Sequence, residues 1–386
     1  MIFGLSTLSR MVRRRGSGRM MRTRGTAAIV ALMALPGCLP QDQGAAQGSR
    51  QAEVTVALPA RVPVPGPPRF AEEIATLGRA FPGVVGIAVQ DVQNGWTASY
   101  NGSTPFPQQS VSKLWVALSL LNAVGRGAAD LAEPVVVRET DLTLFHQPIR
   151  YLIGPDGYHT TLGGLLTTAL TRSDNTANDL LLRRVGGPKA VRALIADKDL
   201  GAIAFGDGER ALQSRIAGLT WRPEFAIGSG FTDARAALPL ATRTAALDQY
   251  LARPMDGAAP DAIVDSLARL HKGELLSPAS TALMLGIMEK TKTGARRLRG
   301  GLAPGWTCAH KTGTGQELAG LATGYNDVGL ITAPDGHSYA VAVMIGSTRQ
   351  SNQARQQLMQ DVVQAVAAWH ARSGSDAPKA PSGQRT

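Results

Sequence analysis

A chain of 386 residues, 44% of them hydrophobic and 18% charged, can bury one large core or two smaller ones, which excludes a disordered protein. Its +11 formal charge points first to nucleic acid, but Arg10, Arg13, Arg14, Arg15, Arg19, Arg22 and Arg24 all precede residue 38 without an acidic residue among them, and setting those seven aside leaves +4. No basic stripe with interleaved aromatics follows, so no nucleic-acid partner is expected. Two cysteines and six scattered histidines offer no H-E-x-x-H or Cys/His cluster, so neither metal nor cofactor is expected.

The leader, residues 1–38, runs from an Arg-rich segment through "TAAIVALMAL" to "PGC". That order predicts an export signal, since the apolar run is too short to span a bilayer comfortably. Small Gly37 before Cys38 matches a lipoprotein processing site, and an ordinary signal cut a few residues later is the other reading; Met20 or Met21 would also serve as a start. An exported, periplasmic protein is expected, touching membrane only through a lipid on Cys38. After Cys38 only Cys308 remains, so no internal disulfide is expected. Residues 39–68, ending in "RVPVPGPP", read as an extended tether, and residues 373–386 as a disordered tail.

Between them, 69–372 reads as one folded domain. "RFAEEIATLGRAF" has helical spacing, and "GVVGIAVQDVQ" and "GWTASYNG" form two strands around an Asn94-Gly95 turn. A mainly helical middle, about 104–292, follows. "GWTCAHKTGTG", "NDVGLITAPDG" and "SYAVAVMIGST" supply three more strands, the last two joined by Pro-Asp-Gly, and a helix from Asn352 to about His370 closes the domain. The expected fold is α+β: a five-stranded antiparallel sheet flanked by helices, with an all-helical lobe inserted and a site in the cleft between lobes.

Ser110 and Lys113 stand three apart at the start of the apolar run "SVSKLWVALSLL". Such a pair arises by chance about once in a chain of this length, and a helix cap with a solvated Lys is its plain reading. The chemical reading places the amine beside the hydroxyl as its base. Ser173-Asp174-Asn175 and Lys311-Thr312-Gly313 follow in the chain, and each alone reads as a loop or strand end. S-x-x-K, S-D-N and K-T-G in this order, together with Phe106, "SDNTAND", "HKGELLSPAS" and "LAPGW", resemble a class A serine β-lactamase across about 69–372.

The resemblance implies that Ser110 is the acylated nucleophile, Lys113 its base or proton relay, and Ser173 the shuttle to the leaving nitrogen with Lys311 behind it. Asn175 would hold the substrate's side-chain amide and Thr312 its carboxylate. The N–H groups of Ser110 and Thr314 would form the oxyanion hole, with Gly313 and Gly315 admitting the ligand close to the strand. Arg297 falls where some members carry a carboxylate-binding Arg; membership of a solvated basic run with Arg296 and Arg299 is the alternative.

For deacylation, "GERALQSR" offers Glu209 and, four residues on, Gln213. The Arg expected two residues before the Glu is replaced by Asp207, and the following stretch is longer than usual, so the loop must be held differently. Glu224 in "WRPEF" is a rival base. The expected ligands are β-lactams, or the stem peptide of peptidoglycan if the chain is instead a D-Ala-D-Ala peptidase or a silent cell-wall-binding lipoprotein. A monomer is expected.

Overall fold

A computed structural model describes residues 63–375. The leader, Cys38, most of 39–68 and residues 376–386 lie outside the described residues. The first elements are β1 (Val64–Pro65), α1 (Pro68–Ala80), β2 (Gly83–Asp91) and β3 (Trp96–Tyr100). β4 (Phe106–Pro107) leads through a 3-10 turn, Gln109–Ser112, into α2 (Lys113–Gly125). The middle continues with β5 (Pro134–Val137), β6 (Tyr158–Thr161), α3 (Leu162–Thr171), α4 (Asn175–Arg184), α5 (Gly187–Asp197) and α6 (Glu209–Ile216). After α7 (Gly230–Ala237) and α8 (Leu240–Ala252) come β7 (Gly257–Ala258), α9 (Pro260–His271) and α10 (Pro278–Glu289). The chain returns through β8 (Thr307–Gly313), β9 (Glu317–Leu318), β10 (Leu321–Thr332) and β11 (Ser338–Thr348) to α11 (Asn352–Ser375).

The five expected strands form the body of a sheet ordered β1-β3-β2-β11-β10-β8, with β9 added on β10. Those five pair antiparallel, while β1 runs parallel to β3. The expected tether thus joins the sheet before residue 68: Gly66 N–H donates to Thr97 O at 2.8 Å, and Pro65 is tolerated because this is an edge. At the other end α11 runs on to Ser375, into the stretch expected as tail. The Asn94-Gly95 turn is closed by the Asp91 carboxylate, which accepts from Asn94 N–H at 2.8 Å, and Gly95 takes φ +78°.

Alternation along the central strands divides the core in two. Val85, Ile87 and Val89 of β2 and Val341, Val343 and Ile345 of β11 face α1 and α11, packing with Phe70, Ile74, Met359, Val362 and Val363. Ala88, Ala340, Ala342 and Met344 face the inserted lobe. There α2 is buried along Lys113 to Leu121 and touches α3, α4, α5 and α10, so it is apolar nearly all round rather than on one stripe. The lobe is not all-helical: β4 pairs with β7 and β5 with β6, two antiparallel ladders too short to leave a period in the sequence. Among the described residues no helix is long and apolar enough to cross a membrane.

Because α2 carries the first motif at its start, its packing positions the chemistry. Leu118 is 1% exposed at its centre. Leu118→Ala should destabilise the fold by about 2–5 kcal/mol, read as a lower urea midpoint at unchanged slope.

Candidate active site

Ser110 does not sit in the α-helix proper but in the 3-10 turn that feeds it, and α2 begins at Lys113. The preceding Gln109 holds a left-handed backbone, φ +52°, which costs a non-glycine residue about 1–3 kcal/mol and points to a strained, tightly held nucleophile segment. Lys113 is 1% exposed, so the solvated reading fails. Its Nζ donates to Ser110 Oγ at 2.8 Å, to Asn175 Oδ1 at 2.8 Å and to Glu209 Oε1. All three ammonium protons therefore have acceptors.

Ser173 lies between α3 and α4, again with a left-handed backbone at φ +58°. Asp174 caps α4: its carboxylate accepts from Ala177 N–H at 2.9 Å and Ile149 N–H at 2.7 Å. Asn175 donates from Nδ2 to Leu144 O at 2.8 Å, which turns its oxygen towards Lys113. Opposite them, Lys311 of β8 donates to Ser173 Oγ at 2.9 Å and to Thr312 O at 2.8 Å. Complete burial pushes the Lys311 amine well below its ordinary range, and the charge of Lys113 adds to that. An amine so placed can exchange a proton with Ser173.

Glu209 opens α6 and is 3% exposed. Gly208 before it has no side chain with which to cap the helix. Asp179 of α4 does so instead, accepting from Glu209 N–H at 3.0 Å and Arg210 N–H at 3.4 Å. Four residues on, Gln213 reaches the free Glu209 oxygen, Nε2 to Oε2 at 3.3 Å. Asp207, which stands in the place of the expected Arg, pairs with Arg192 at 3.3 Å and Arg215 at 2.8 Å. Arg210 donates to Thr140 O at 2.8 Å and Leu142 O at 2.9 Å. These bonds hold the loop without the missing cation.

The long stretch after α6 forms α7, α8 and an aromatic cluster of Phe225, Phe231 and Trp221 beside Leu144. Glu224 lies on that insert with its side chain 60% exposed, 3.7 Å from Arg222, and does not line the cleft.

At the end of β8, Thr312 Oγ1 lies 2.7 Å from Thr293 Oγ1. Arg297 is buried, unlike exposed Arg296, and is not part of a solvated run. It donates to Gly313 O at 2.8 Å, Asn326 O at 2.7 Å and Thr314 Oγ1 at 2.6 Å, with its guanidinium 3.8 Å over the Tyr325 ring. The room Gly313 leaves is taken by the Gln108 carbonyl, and that of Gly315 by the Thr323 carbonyl. Gly313 thus serves packing between neighbouring segments, whereas Gly315 also lines the cleft.

A cleft of about 470 Å³ gathers Ser110, Ser173, Asn175, Gln213, Arg297, Thr312 and Thr314, while Lys113, Glu209 and Lys311 lie buried behind its wall. Phe145, His146, Arg235, Thr293, Gln316 and Glu317 also line it and carried no signal as site residues in the sequence. Asp179 was visible within "SDNTAND", but nothing in that motif told of a helix cap at residue 209.

Burial, reinforced by the Glu209 charge, raises the Asp179 carboxyl from 3.8 to about 6. Between those values the folded chain keeps a proton that the unfolded chain has released, so this contribution to stability falls as pH rises from about 4 to 6. Asp179→Asn, which can still cap α6, should flatten that part of the decline in a series of melting temperatures across pH.

Residues 69–369 match the family model described as Beta-lactamase enzyme family. The extended-spectrum β-lactamase PER-1 of Pseudomonas aeruginosa is 28% identical over 300 residues, covering 77% of this chain and 86% of that protein. A β-lactamase from Chitinophaga pinensis superposes with a TM-score of 0.64 at 27% identity, covering 79% of this chain and 99% of the other. An ancestral class A β-lactamase does so at 0.60 and 28%, covering 78% and 99%. The chain belongs to the β-lactamase enzyme family.

Proposed function

We propose that this chain is a serine β-lactamase that opens the β-lactam amide through an acyl-enzyme on Ser110. The carrying observation is the Lys113 ammonium held between the Ser110 hydroxyl and the Glu209 carboxylate, whose other oxygen is met by Gln213. A D-Ala-D-Ala peptidase needs only the first part of that array. A buried carboxylate joined to the nucleophile through Lys113 supplies what the peptidase lacks, a base for water.

In acylation, Ser110 Oγ attacks the lactam carbonyl and its proton passes to the Lys113–Glu209 pair. The N–H groups of Ser110 and Thr314 stabilise the oxyanion. As the C–N bond breaks, Ser173 gives its proton to the leaving nitrogen and recovers one from the Lys113–Glu209 pair, which leaves Glu209 ionised for the second step, while Lys311 holds Ser173 by donating to it at 2.9 Å. Asn175 and Thr312 line the cleft together with Ser110, suited to the substrate's amide and carboxylate. Arg297 adds positive charge there, its direct partners being Thr314 and two main-chain carbonyls. In deacylation, Glu209 takes a proton from water as the hydroxide adds to the ester carbonyl, and the Ser110 oxygen leaves with a proton returned through Lys113.

For the segment before residue 63 the proposal rests on sequence alone. The Arg-rich start, the apolar run and Cys38 support export to the periplasm and attachment through a lipid on that cysteine.

Mixing with a penicillin and weighing the intact protein tests the chemistry. Ser110→Ala should fold and show no adduct; appreciable hydrolysis by it excludes the serine mechanism. Glu209→Gln should acylate and then stall, deacylating about 10²- to 10⁴-fold more slowly, while Glu224→Ala turns over like the wild type. The reverse pattern would move the base to the insert. For the anchor, Cys38→Ser should shift the protein from membrane to soluble periplasmic fractions, and a wild-type protein already soluble there counts against lipidation.

A further inference from the structure

Behind the cleft a buried chain of hydrogen bonds runs from the insert to the Glu209 carboxylate. Asp256, 1% exposed in the turn after α8, accepts from Gln109 N–H at 2.7 Å through one oxygen and from Tyr250 OH at 2.8 Å through the other. Gln109 Nε2 donates to the same Tyr250 oxygen at 2.6 Å. Gln213 Nε2 donates to Gln109 Oε1 at 3.0 Å and to Glu209 Oε2 at 3.3 Å, and Gln316 Nε2 donates to Gln213 Oε1 at 3.2 Å.

The direction of this chain is decided at its far end. Burial lifts the Asp256 carboxyl to about 6, which leaves it ionised at neutral pH, and an ionised carboxylate can only accept. Tyr250, whose phenol is pushed well above its ordinary range by burial, keeps its single proton and gives it to Asp256. Its oxygen must then accept from Gln109. That turns the Gln109 amide so that its oxygen faces Gln213, and turns the Gln213 amide so that its nitrogen faces Glu209. Reversing Gln213 would place an oxygen against the Glu209 carboxylate, and reversing Gln109 would set its oxygen against the Tyr250 oxygen and its N–H group against that of Gln213.

Resting on the β-lactamase reading above, we propose that Tyr250 is a positioning residue for deacylation: acting through Gln109, it sets the amide of Gln213 so that an N–H group meets Glu209. It also steadies the strained Gln109 backbone through the shared Asp256. The insert that carries Tyr250 thereby takes part in the second half of the reaction without touching substrate.

The test is rapid mixing with a penicillin, acid quenching and intact mass measurement, which separates acylation from deacylation. Tyr250→Phe should acylate at close to the wild-type rate and deacylate about 10- to 100-fold more slowly, the loss expected for a hydrogen bond to a charged group. Gln109→Ala, which leaves Tyr250 and Asp256 paired, should accumulate the same acyl-enzyme. The double variant should be no slower than the slower single one, because both remove the same chain. Deacylation at the wild-type rate in either single variant, or effects that multiply in the double variant, overturns the relay; should Tyr250→Phe fail to fold, Gln109→Ala decides alone. A wild-type protein that forms no adduct at Ser110 overturns the β-lactamase reading and the relay with it.

Discussion

Lys113 has three protons and three acceptors, and the rest of the site is arranged around keeping that so. Its ion pair with Glu209 is almost fully dry, the two side chains 0% and 4% exposed. Removing both charges from water costs several kcal/mol per ion, and mutual attraction offsets this only when the remaining hydrogen-bonding capacity is also met. Ser110 and Asn175 complete the ammonium, and Gln213 meets the second oxygen of the carboxylate. The nucleophile, the S-D-N turn and the loop are thus three separate stretches fixed by one cation.

The loop shows how such a centre survives the loss of an expected partner. Where the resemblance calls for an Arg, Asp207 stands, and its attachment is inverted in sign through Arg192 and Arg215. These exposed pairs contribute little to stability. The buried work is done by Asp179, which caps α6 from another helix, and by the packing of Leu212 and Ile216 against Leu247 and Tyr250 of the insert. A long insertion is thermodynamically tolerable when it brings its own core, and this one does.

Much of this was legible in the sequence because the motifs are local. Ser110 with Lys113, Ser173 with Asn175 and Lys311 with Thr312 each lie within one turn or one strand, and their order implied the fold. Glu209 and Gln213 could be read from a four-residue spacing. Arg297 could not be decided, since its burial depends on β8 and β10 lying beside each other. Asp256, Tyr250 and Gln109 meet across more than a hundred residues of chain, and no periodicity records such a meeting. The ladders β4–β7 and β5–β6 escaped for a simpler reason: a two- to four-residue strand has too few alternations to stand out.

Arg297 carries one further consequence. Its guanidinium joins Gly313 O and Asn326 O, residues directly opposite each other in the β8–β10 ladder. Both bonds come from one guanidinium nitrogen, Nη1, whose two N–H directions are fixed by the planar group, whereas a lysine ammonium on a flexible stem has no such fixed geometry. The position of positive charge in the cleft is therefore a readout of strand register: slip β8 by one residue against β10 and the two carbonyls no longer face one nitrogen. Electrostatics at the cleft wall and pairing in the sheet are, at this point, a single property of the chain.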